Sequence, residues 1–296
     1  MKSENVSRRA ILKSGLAACA GVYALGKIAK GAEDVNKITE VIKVKKEIPV
    51  GLQLWTVRAE CAKDFPGTIA AVAKMGYKGV EFAGYYDRKA EEVRKMLDDN
   101  GLLCCGSHTA IDLLSNEKFA ATMEFNRVIG NKFVVVPYLD RQKLKTKEEW
   151  LAKAKFFNEL AGKTKSEGVH IGYHAHQGDF LPIEGETPWD ILFGNTGKEV
   201  FMQLDTGNSM QGGGDPVAIL KKYPGRSLTI HLKEFSKTNN KALIGQGDVK
   251  WKDVFEVCET TGGTQRYIIE EESGAYPPLD SAKMSLECYK KLRGLA

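Results

Sequence analysis

The stretch KEEWLAKAKFFNELAGKTKSEGVHIGYH, residues 147–174, contains the repeating unit from which the fold can be inferred. Its first part spaces apolar residues three and four apart, which predicts an amphipathic helix. Gly168 follows at a position where helices commonly end in a left-handed residue. The final residues, VHIGYH, form a short apolar run that is typical of a strand buried on both faces. A helix followed by such a strand predicts a parallel α/β sheet.

The same alternation continues along the whole chain after Pro49. Eight strand-like runs alternate with charged or amphipathic segments: VGLQLW (50–55), GVEFAG (79–84), LLCCGSH (102–108), KFVVVP (132–137), VHIGYH (169–174), VFMQLD (200–205), LTIHLK (228–233) and RYIIEE (266–271). Eight βα units in about 250 residues fit a closed (β/α)₈ TIM barrel, a single domain over residues 49–296. The alternative, an open doubly wound sheet, usually has fewer strands and a glycine-rich turn after the first. Here that position reads LQLWTVRAE.

Residues 1–32 are expected to be an export signal that precedes the barrel. SRRAILK (7–13) places Arg8 and Arg9 before a short run of small and apolar residues, which is typical of a twin-arginine signal. The alternative is a helical extension of a cytoplasmic enzyme, and the run is too short and interrupted for a membrane span. LAAC (16–19) also resembles a lipoprotein box, with a lipid anchor on Cys19. We therefore expect a periplasmic protein in which residues 33–48 form a charged spacer.

The charge balance argues against a nucleic-acid partner. Residues 1–32 contain six of the 43 Lys and Arg residues and one of the 38 Asp and Glu residues, so the remainder carries no net charge. The excess of basic residues therefore belongs to the leader, and no basic face is expected on the barrel.

Polar side chains cluster at the C-terminal ends of the predicted strands, where a barrel of this kind carries its active site. His174, Asp205, His231 and Glu270 are 31, 26 and 39 residues apart, so each ends one of the last four strands. Side chains at neighbouring strand ends can meet above the barrel axis. Two imidazoles and two carboxylates there would bind one divalent cation, Mn²⁺, Co²⁺, Zn²⁺ or Mg²⁺. His176 shares a strand face with His174 and is either the alternative ligand or closer to the substrate.

Four further residues near strand ends are candidate substrate contacts: Trp55, Glu81, His108 and Lys233. Trp55 could stack on the apolar face of a sugar, and Lys233 could hold an anionic oxygen. Each also has a structural interpretation, as a core aromatic, a salt-bridge partner or a buried polar partner in the barrel mouth. Glu272 is a weaker candidate, and Glu271 is expected to be a surface charge.

Several segments together resemble one known family. They are GYHAH (172–176), QLDTGN (203–208), GGGDPVAILKKYPGRSLTIHLKEF (212–235), IGQGDVKW (244–251) and YIIEEES (267–273). From Val50 onward the chain resembles the xylose-isomerase-like TIM barrels grouped as sugar phosphate isomerases/epimerases, in the branch with a YHNH-type fifth strand. The resemblance implies that one divalent cation is held by His174, Asp205, His231 and Glu270.

The chain departs from the better-known epimerases of that family at one ligand. Those enzymes carry a glutamate at the end of the fifth strand, and it exchanges protons across the substrate with the glutamate of the eighth strand. Here the matching residue is His174. Proton abstraction is therefore expected to fall to Glu270, or to His176 if a cation makes Glu270 too weak a base.

The expected function is a metal-dependent sugar isomerase or epimerase that works by proton transfer next to a sugar carbonyl through an enediolate. A lyase or hydratase acting on a 3-keto-sugar or keto-glycoside is the main alternative, and a non-catalytic sugar-binding barrel is a further one. A nuclease on the same barrel would need more metal ligands and a basic face. QGGGDP (211–216) more readily opens a helix, with Asp215 as N-cap, than cradles a phosphate. Together with export, this favours a neutral sugar or keto-sugar as substrate.

Overall fold

The computed structural model describes residues 47–295, apart from the side chain of Asn116, and shows a closed barrel of eight parallel strands. The strands are β1 Val50–Gln53, β2 Gly79–Phe82, β3 Leu103–His108, β4 Phe133–Val136, β5 His170–His174, β6 Val200–Asp205, β7 Thr229–Leu232 and β8 Arg266–Ile269. They follow the chain order around the barrel, and β8 pairs with β1 to close it. The predicted (β/α)₈ fold is confirmed.

Helices surround the strands within the described range. They are α1 Arg58–Lys63, α2 Phe65–Met75, α3 Ala90–Asp99, α4 Asn116–Val128, α5 Lys147–Thr164, α6 Pro188–Gly194, α7 Thr206–Gln211, α8 Pro216–Lys222, α9 Trp251–Thr260 and α10 Pro278–Arg293. Short 3₁₀ turns lie at Leu54–Val57, Ile111–Leu114, Lys165–Glu167 and Gln177–Phe180. As predicted, Gly168 is left-handed, with a φ of 67°, and it caps the 3₁₀ turn that follows α5. The Asp215 side chain caps α8, also as predicted.

The strand register places the candidate ligands at a similar level along the barrel axis. Asp205 is the partner of His231 across β6 and β7, and His174 is the partner of Gln203 across β5 and β6. Glu270 follows directly after the last residue of β8. Because all eight strands run in the same direction, their C-terminal ends form one face of the barrel.

Two local features differ from the expectation based on hydrophobic runs. The first strand ends at Gln53, whose side chain accepts the backbone N–H of Trp55 and starts a 3₁₀ turn that includes Leu54 and Trp55. Helix α7 was not predicted, because a six-residue helix leaves no periodic pattern in sequence. It begins directly after Asp205, whose carboxylate caps it.

The expected leader lies outside the described residues, and so do Arg8, Arg9, Cys19 and all but the last two residues of the expected spacer. The barrel belongs to a compact unit that begins at Ile48. Among residues 47–295, no helix combines the length and apolar character needed to cross a bilayer.

Candidate active site

The ends of β5 to β8 bring together the four residues predicted to bind a metal. One ligand atom each from His174, Asp205, His231 and Glu270 lies within 4.8 Å of the other three. All four side chains are buried. Buried ionisable groups at such close range need compensating charge or hydrogen bonds.

The Asp205 carboxylate shows most directly that a cation fits this cluster. Its Oδ1 accepts the backbone N–H of Asn208 at 2.7 Å, but its buried Oδ2 has no hydrogen-bond partner in the described part of the chain. Oδ2 lies 3.8 Å from His231 Nδ1 and 4.0 Å from Lys233 Nζ. A buried carboxylate oxygen without a partner costs free energy, which a bound divalent cation would offset.

The imidazole of His231 is held between carboxylates on both sides. Its Nε2 lies 2.6 Å from Glu81 Oε2, and its Nδ1 lies 3.1 Å from Glu270 Oε2. Glu81 is completely buried, so it can accept the Nε2 proton and leave Nδ1 facing Asp205 and Glu270. A carboxylate that orients a histidine in this way commonly supports a metal ligand.

Gln203 connects this carboxylate to two further histidines. Its Nε2 donates to Glu81 Oε1 at 2.6 Å and to Thr229 Oγ1 at 2.9 Å. Its Oε1 lies 2.8 Å from His108 Nε2 and 3.1 Å from His174 Nδ1, so both ring nitrogens can donate to it. With Nδ1 of His174 occupied in this way, Nε2 is the nitrogen left for a cation.

The charges of the cluster follow from these contacts. Burial alone would raise the pKa of Glu81, but His108 and His231 outweigh it and lower the pKa to about 2. For His231, burial opposes protonation, yet Glu81 and Glu270 raise the pKa to about 10. Burial would likewise raise the pKa of Glu270, but His231 and Lys233 hold it well below its ordinary value. Without a cation, His231 is therefore the positive charge between two carboxylates.

The pKa values of Asp205 and His174 are shifted mainly by burial. Burial raises the pKa of Asp205 to about 7, against the opposing effect of Lys233. The pKa of His174 lies well below its ordinary value because the ring is buried and has other imidazoles beside it. His174 is accordingly neutral at pH 7, which is the state required of a metal ligand.

Lys233 lies at the edge of the cluster beside three carboxylates. Its Nζ is 3.6 Å from Glu270 Oε2 and forms an ion pair with Glu272. These residues line a polar cavity of about 440 Å³, together with Asn208, Asn239 and others. The cavity is large enough for a monosaccharide. The weaker candidate Glu272 therefore lies at the site, in contact with Lys233.

Glu271 has a role in the fold that its expected surface position did not suggest. Its backbone N–H donates to Thr56 Oγ1 at 3.0 Å, and its carboxylate accepts hydrogen bonds from Ser273 N and the Ser281 hydroxyl. The residue thus ties the loop after β8 to the loop after β1 and to α10.

The backbone of His176 is held by a hydrogen bond, whereas its ring Nδ1 has no hydrogen-bond partner among the described residues. Asp179 Oδ2 accepts the His176 backbone N–H at 2.8 Å, and the Tyr173 hydroxyl donates to the same carboxylate. The ring stands edge-on to His174, with centroids 4.8 Å apart, and edge-on to Tyr138 at 5.9 Å. Its buried Nδ1 makes no hydrogen bond to any described residue. Burial lowers the pKa of His176 to about 4, so the ring is neutral at pH 7.

The remaining candidates are the exposed Trp55, the buried Glu81 and the partly buried His108. Trp55 is 44% exposed, and the Arg58 guanidinium lies over its ring at 4.6 Å. Glu81 and His108, candidate substrate contacts that could also be polar partners in the barrel mouth, have polar atoms that contact each other and Gln203. Glu81 is completely buried, as suits a residue that orients other side chains.

Residues 69–292 match the family described as Xylose isomerase-like TIM barrel. The chain belongs to this family. The resemblance inferred from GYHAH and the other segments is thereby confirmed, and the match covers most of the barrel.

Individual members of the xylose isomerase-like group are similar to this chain at modest identity. The inosose dehydratase of Clostridium botulinum is 26% identical over 246 residues, which cover 70% of this chain and 82% of the relative. A crystal structure named sugar phosphate isomerase/epimerase, from Parabacteroides distasonis, is 23% identical with a TM-score of 0.69, and the match covers 83% and 98% of the two chains. D-psicose 3-epimerase from Clostridium cellulolyticum H10, solved with D-tagatose, has a TM-score of 0.60 at 14% identity, over 82% and 99%. The two structural matches show the shared fold.

Three polar residues of this xylose isomerase-like site were missed by sequence reasoning: Gln203, Asn208 and Asp179. A signal for Gln203 was present, because it lies two residues before Asp205 on the same face of an otherwise apolar strand. Asn208 and Asp179 follow strand ends by three and five residues, in a short helix and a 3₁₀ turn whose positions the sequence does not mark.

Proposed function

We propose that this chain is an enzyme that uses one divalent cation to move a proton at the carbon next to the carbonyl of a sugar or keto-sugar. The observation that carries the proposal is the buried cluster of His174, Asp205, His231 and Glu270, with an Asp205 oxygen that no described group satisfies. Loss of water and inversion of a carbon centre, the reactions in the relatives' names, can both begin with such a proton transfer.

The four clustered residues would hold the cation, and their mixture of imidazole and carboxylate suits Mn²⁺, Co²⁺, Zn²⁺ or Mg²⁺. When bound, the cation would polarise the carbonyl and offset the charge that develops on its oxygen. Lys233 adds a fixed positive charge at the same place, because its ammonium lies 3.6 Å from Glu270 and faces the polar cavity. It is placed to donate a hydrogen bond to a substrate oxygen.

Two side chains are placed to carry the proton. Glu270 is ionised, but it accepts a hydrogen bond from His231 and belongs to the ligand set, which makes it a weak base. His176 is neutral, and its Nδ1 makes no hydrogen bond to any described residue. Burial lowers the pKa of His176, and the negative charge of Glu270 offsets part of that effect, so it would stabilise the imidazolium once the proton arrives. We therefore assign His176 to proton transfer, with Glu270 as the supporting charge.

The fate of the enediolate separates the two candidate activities. Epimerase or isomerase activity requires the proton to return to the opposite face or to the neighbouring carbon. The position where the resembling epimerases carry a second glutamate holds His174, whose Nδ1 is engaged by Gln203. This favours the alternative, a lyase or hydratase that acts on a 3-keto-sugar or keto-glycoside by loss or addition of a group at the adjacent carbon. The dehydratase names among the relatives support the same alternative.

Solvent isotope exchange tests the proposal. With Mn²⁺ supplied, incubation in D₂O with a 3-keto-glucoside or a ketohexose should place deuterium at the carbon beside the carbonyl. Exchange with an inverted or relocated centre would identify an epimerase or isomerase. Exchange with release of an unsaturated or hydrated keto-sugar would identify a lyase or hydratase. Tight binding of these sugars without exchange would contradict the proposal and indicate a sugar-binding barrel.

A further inference from the structure

The loop between β7 and α9, residues 233–250, forms one wall of the polar cavity beside the metal cluster. The residues after β8, including Glu270 and Glu272, form another part of the lining. Most of IGQGDVKW (244–251), one of the segments by which the chain resembles its family, lies in this loop. Neither that segment nor Glu234 belongs to the clustered ligand set. Their part in the site therefore has to be read from their contacts with each other.

The Glu234 carboxylate accepts four hydrogen bonds, and three of the donors belong to IGQGDVKW. Oε2 accepts the Gly245 backbone N–H at 2.6 Å and the Trp251 indole N–H at 2.8 Å. Oε1 accepts the Val249 backbone N–H at 3.2 Å and the Phe235 backbone N–H at 3.0 Å. A carboxylate that binds donors from the start and the end of a loop fixes the path of the chain between them.

Two further residues of IGQGDVKW fit the loop around Glu234. A Cβ on Gly247 would lie 2.7 Å from Glu234 Oε1 and even closer to the Phe235 carbonyl oxygen, so a side chain there would push the two strands of the loop apart. The Asp248 backbone N–H donates to the same carbonyl at 2.7 Å, and the Asp248 carboxylate accepts the Lys237 backbone N–H at 2.8 Å. The segment thus supplies the donors, the close approach and the second acceptor that hold the loop.

The tip of the loop presents neutral polar groups to the cavity, from Ser236, Asn239 and Asn240. Ser236 Oγ accepts the Asn239 backbone N–H at 3.2 Å, which leaves its hydroxyl proton to donate. Asn239 Oδ1 accepts the Lys241 backbone N–H at 3.0 Å, so the amide nitrogen of Asn239 is the group that can donate to a ligand. Hydroxyl and amide groups pair with the hydroxyl groups of a ligand without requiring charge on either side.

We propose that Glu234 is a positioning residue for substrate recognition, because it holds the β7–α9 loop where Ser236, Asn239 and Asn240 bind hydroxyl groups of the sugar away from the reacting carbon. The inference rests on the proposed function for the position of the carbonyl and adds the residues that select the ligand, an uncharged polyhydroxylated ketone. Contacts far from the reacting carbon stabilise the bound substrate and the transition state alike. They therefore set KM rather than kcat.

Two variants test the inference, each with a matched control. Glu234→Gln offers one oxygen in place of two and turns an NH₂ group toward two N–H donors. Its control is Glu256→Gln, on the exposed side of α9. Asn239→Ala removes the exposed amide, and its control is Thr238→Ala, because Thr238 is an exposed neighbour in the loop outside the cavity lining. The probe is methyl 3-keto-glucoside, with the dissociation constant measured by calorimetry, turnover by kcat and KM, and cluster integrity by Mn²⁺ affinity.

Glu234→Gln should raise the dissociation constant and KM about tenfold or more, with kcat within about threefold and Mn²⁺ affinity unchanged. Asn239→Ala should raise both constants about three- to tenfold, as expected for one lost hydrogen bond. In the Mg²⁺-loaded protein, the NMR signal of the Trp251 indole N–H should shift in Glu234→Gln and keep its native position in Asn239→Ala. Gly247→Ala should reproduce the effects of Glu234→Gln on sugar binding, and both controls should behave as the native protein.

Native sugar affinity in Asn239→Ala together with Glu234→Gln or Gly247→Ala would overturn the inference, and so would a loss of kcat at unchanged KM. Failure of the native protein to bind the probe would overturn it as well. If Glu234→Gln does not fold, as judged by thermal melting, the exposed Asn239→Ala decides alone. Binding that depends on Asn239 without any solvent exchange would contradict the proposed function and leave this inference standing, since the dissociation constant reports on the loop alone.

Discussion

His231 Nε2 and Glu81 Oε2 lie 2.6 Å apart in a completely buried contact that joins β7 to β2 across the barrel. The contact leaves Nδ1 of His231 to face Asp205 and Glu270. Glu81 also accepts hydrogen bonds from Gln53 at 2.7 Å and Gln203 at 2.6 Å. One carboxylate without access to solvent therefore orients a ligand directly and, through Gln203, orients another.

Glu81→Gln should weaken metal binding by about 10- to 100-fold while the protein remains folded, because an amide cannot accept all of these N–H groups. The measurement is the Mn²⁺ dissociation constant by calorimetry, with thermal melting as the check on folding. Glu91→Gln, on the exposed side of α3, is the control and should leave affinity unchanged. Native affinity in Glu81→Gln would show that the buried carboxylate does not support the ligands.

Asp205→Asn should stabilise the metal-free protein at pH 8 and abolish its response to metal. Burial raises the pKa of Asp205 to about 7, so ionisation at pH 8 costs free energy in the folded state, and an amide avoids this cost. The amide oxygen can still cap α7 through Asn208 N. The melting temperature without metal should rise by several degrees, and added Mn²⁺ should no longer raise it.

A melting temperature of Asp205→Asn that still rises with Mn²⁺ would contradict the ligand assignment. Asp215→Asn is the matched control, since Asp215 also caps a helix but is exposed and does not belong to the clustered set. It should leave the metal response intact.

Metal affinity should increase with pH well beyond neutrality. The pKa of His231 is raised to about 10 in the metal-free protein, so its proton must be displaced when a cation binds at any lower pH. Asp205, with a pKa of about 7, must also lose a proton at acidic pH. Affinity should therefore rise about tenfold per pH unit from pH 7 to 9, and more steeply below pH 7. Calorimetry in buffers of different ionisation enthalpy would count the released protons, and a flat profile over this range would contradict the charge assignment.

His176→Ala should retain about one metal ion per chain and lose most of the solvent exchange at the substrate carbon. The ring is neutral and its Nδ1 has no hydrogen-bond partner among the described residues, and general-base catalysis of this kind contributes about 10²- to 10⁴-fold in rate. His170→Ala is the control on the same strand, because His170 lies at the opposite end of β5, where it stacks on Phe133. Loss of the metal together with activity would instead identify His176 as a ligand.

Export is tested separately from catalysis. We propose that SRRAILK directs twin-arginine export, and replacement of Arg8 and Arg9 by Lys should leave folded, active precursor in the cytoplasm. Fractionation with activity and metal content as readouts would measure this. Unchanged delivery to the periplasm would contradict the proposal. Mass spectrometry of the mature N-terminus would distinguish a lipid-modified Cys19 from cleavage near Ala32 or Glu33.

The barrel and its four clustered residues could be predicted from sequence because both depend on repetition. Each βα unit leaves an apolar strand, and a polar residue at its end lies on the same face of the barrel as those of the other units. The orientation of the histidines could not be predicted in this way. It depends on Gln203 and Glu81, which lie on β6 and β2 and meet only because the sheet closes.

Asn208 connects the end of β6, which carries Asp205, to the segment that carries His174 and His176. Its backbone N–H is held by Asp205, and its side-chain amide donates to the Ala175 carbonyl at 3.0 Å, between His174 and His176. Loss of the side-chain amide would leave the Ala175 carbonyl without this donor, while the backbone contact with Asp205 would remain. The relative placement of His174 and His176 therefore depends on a side chain from the helix that follows the next strand.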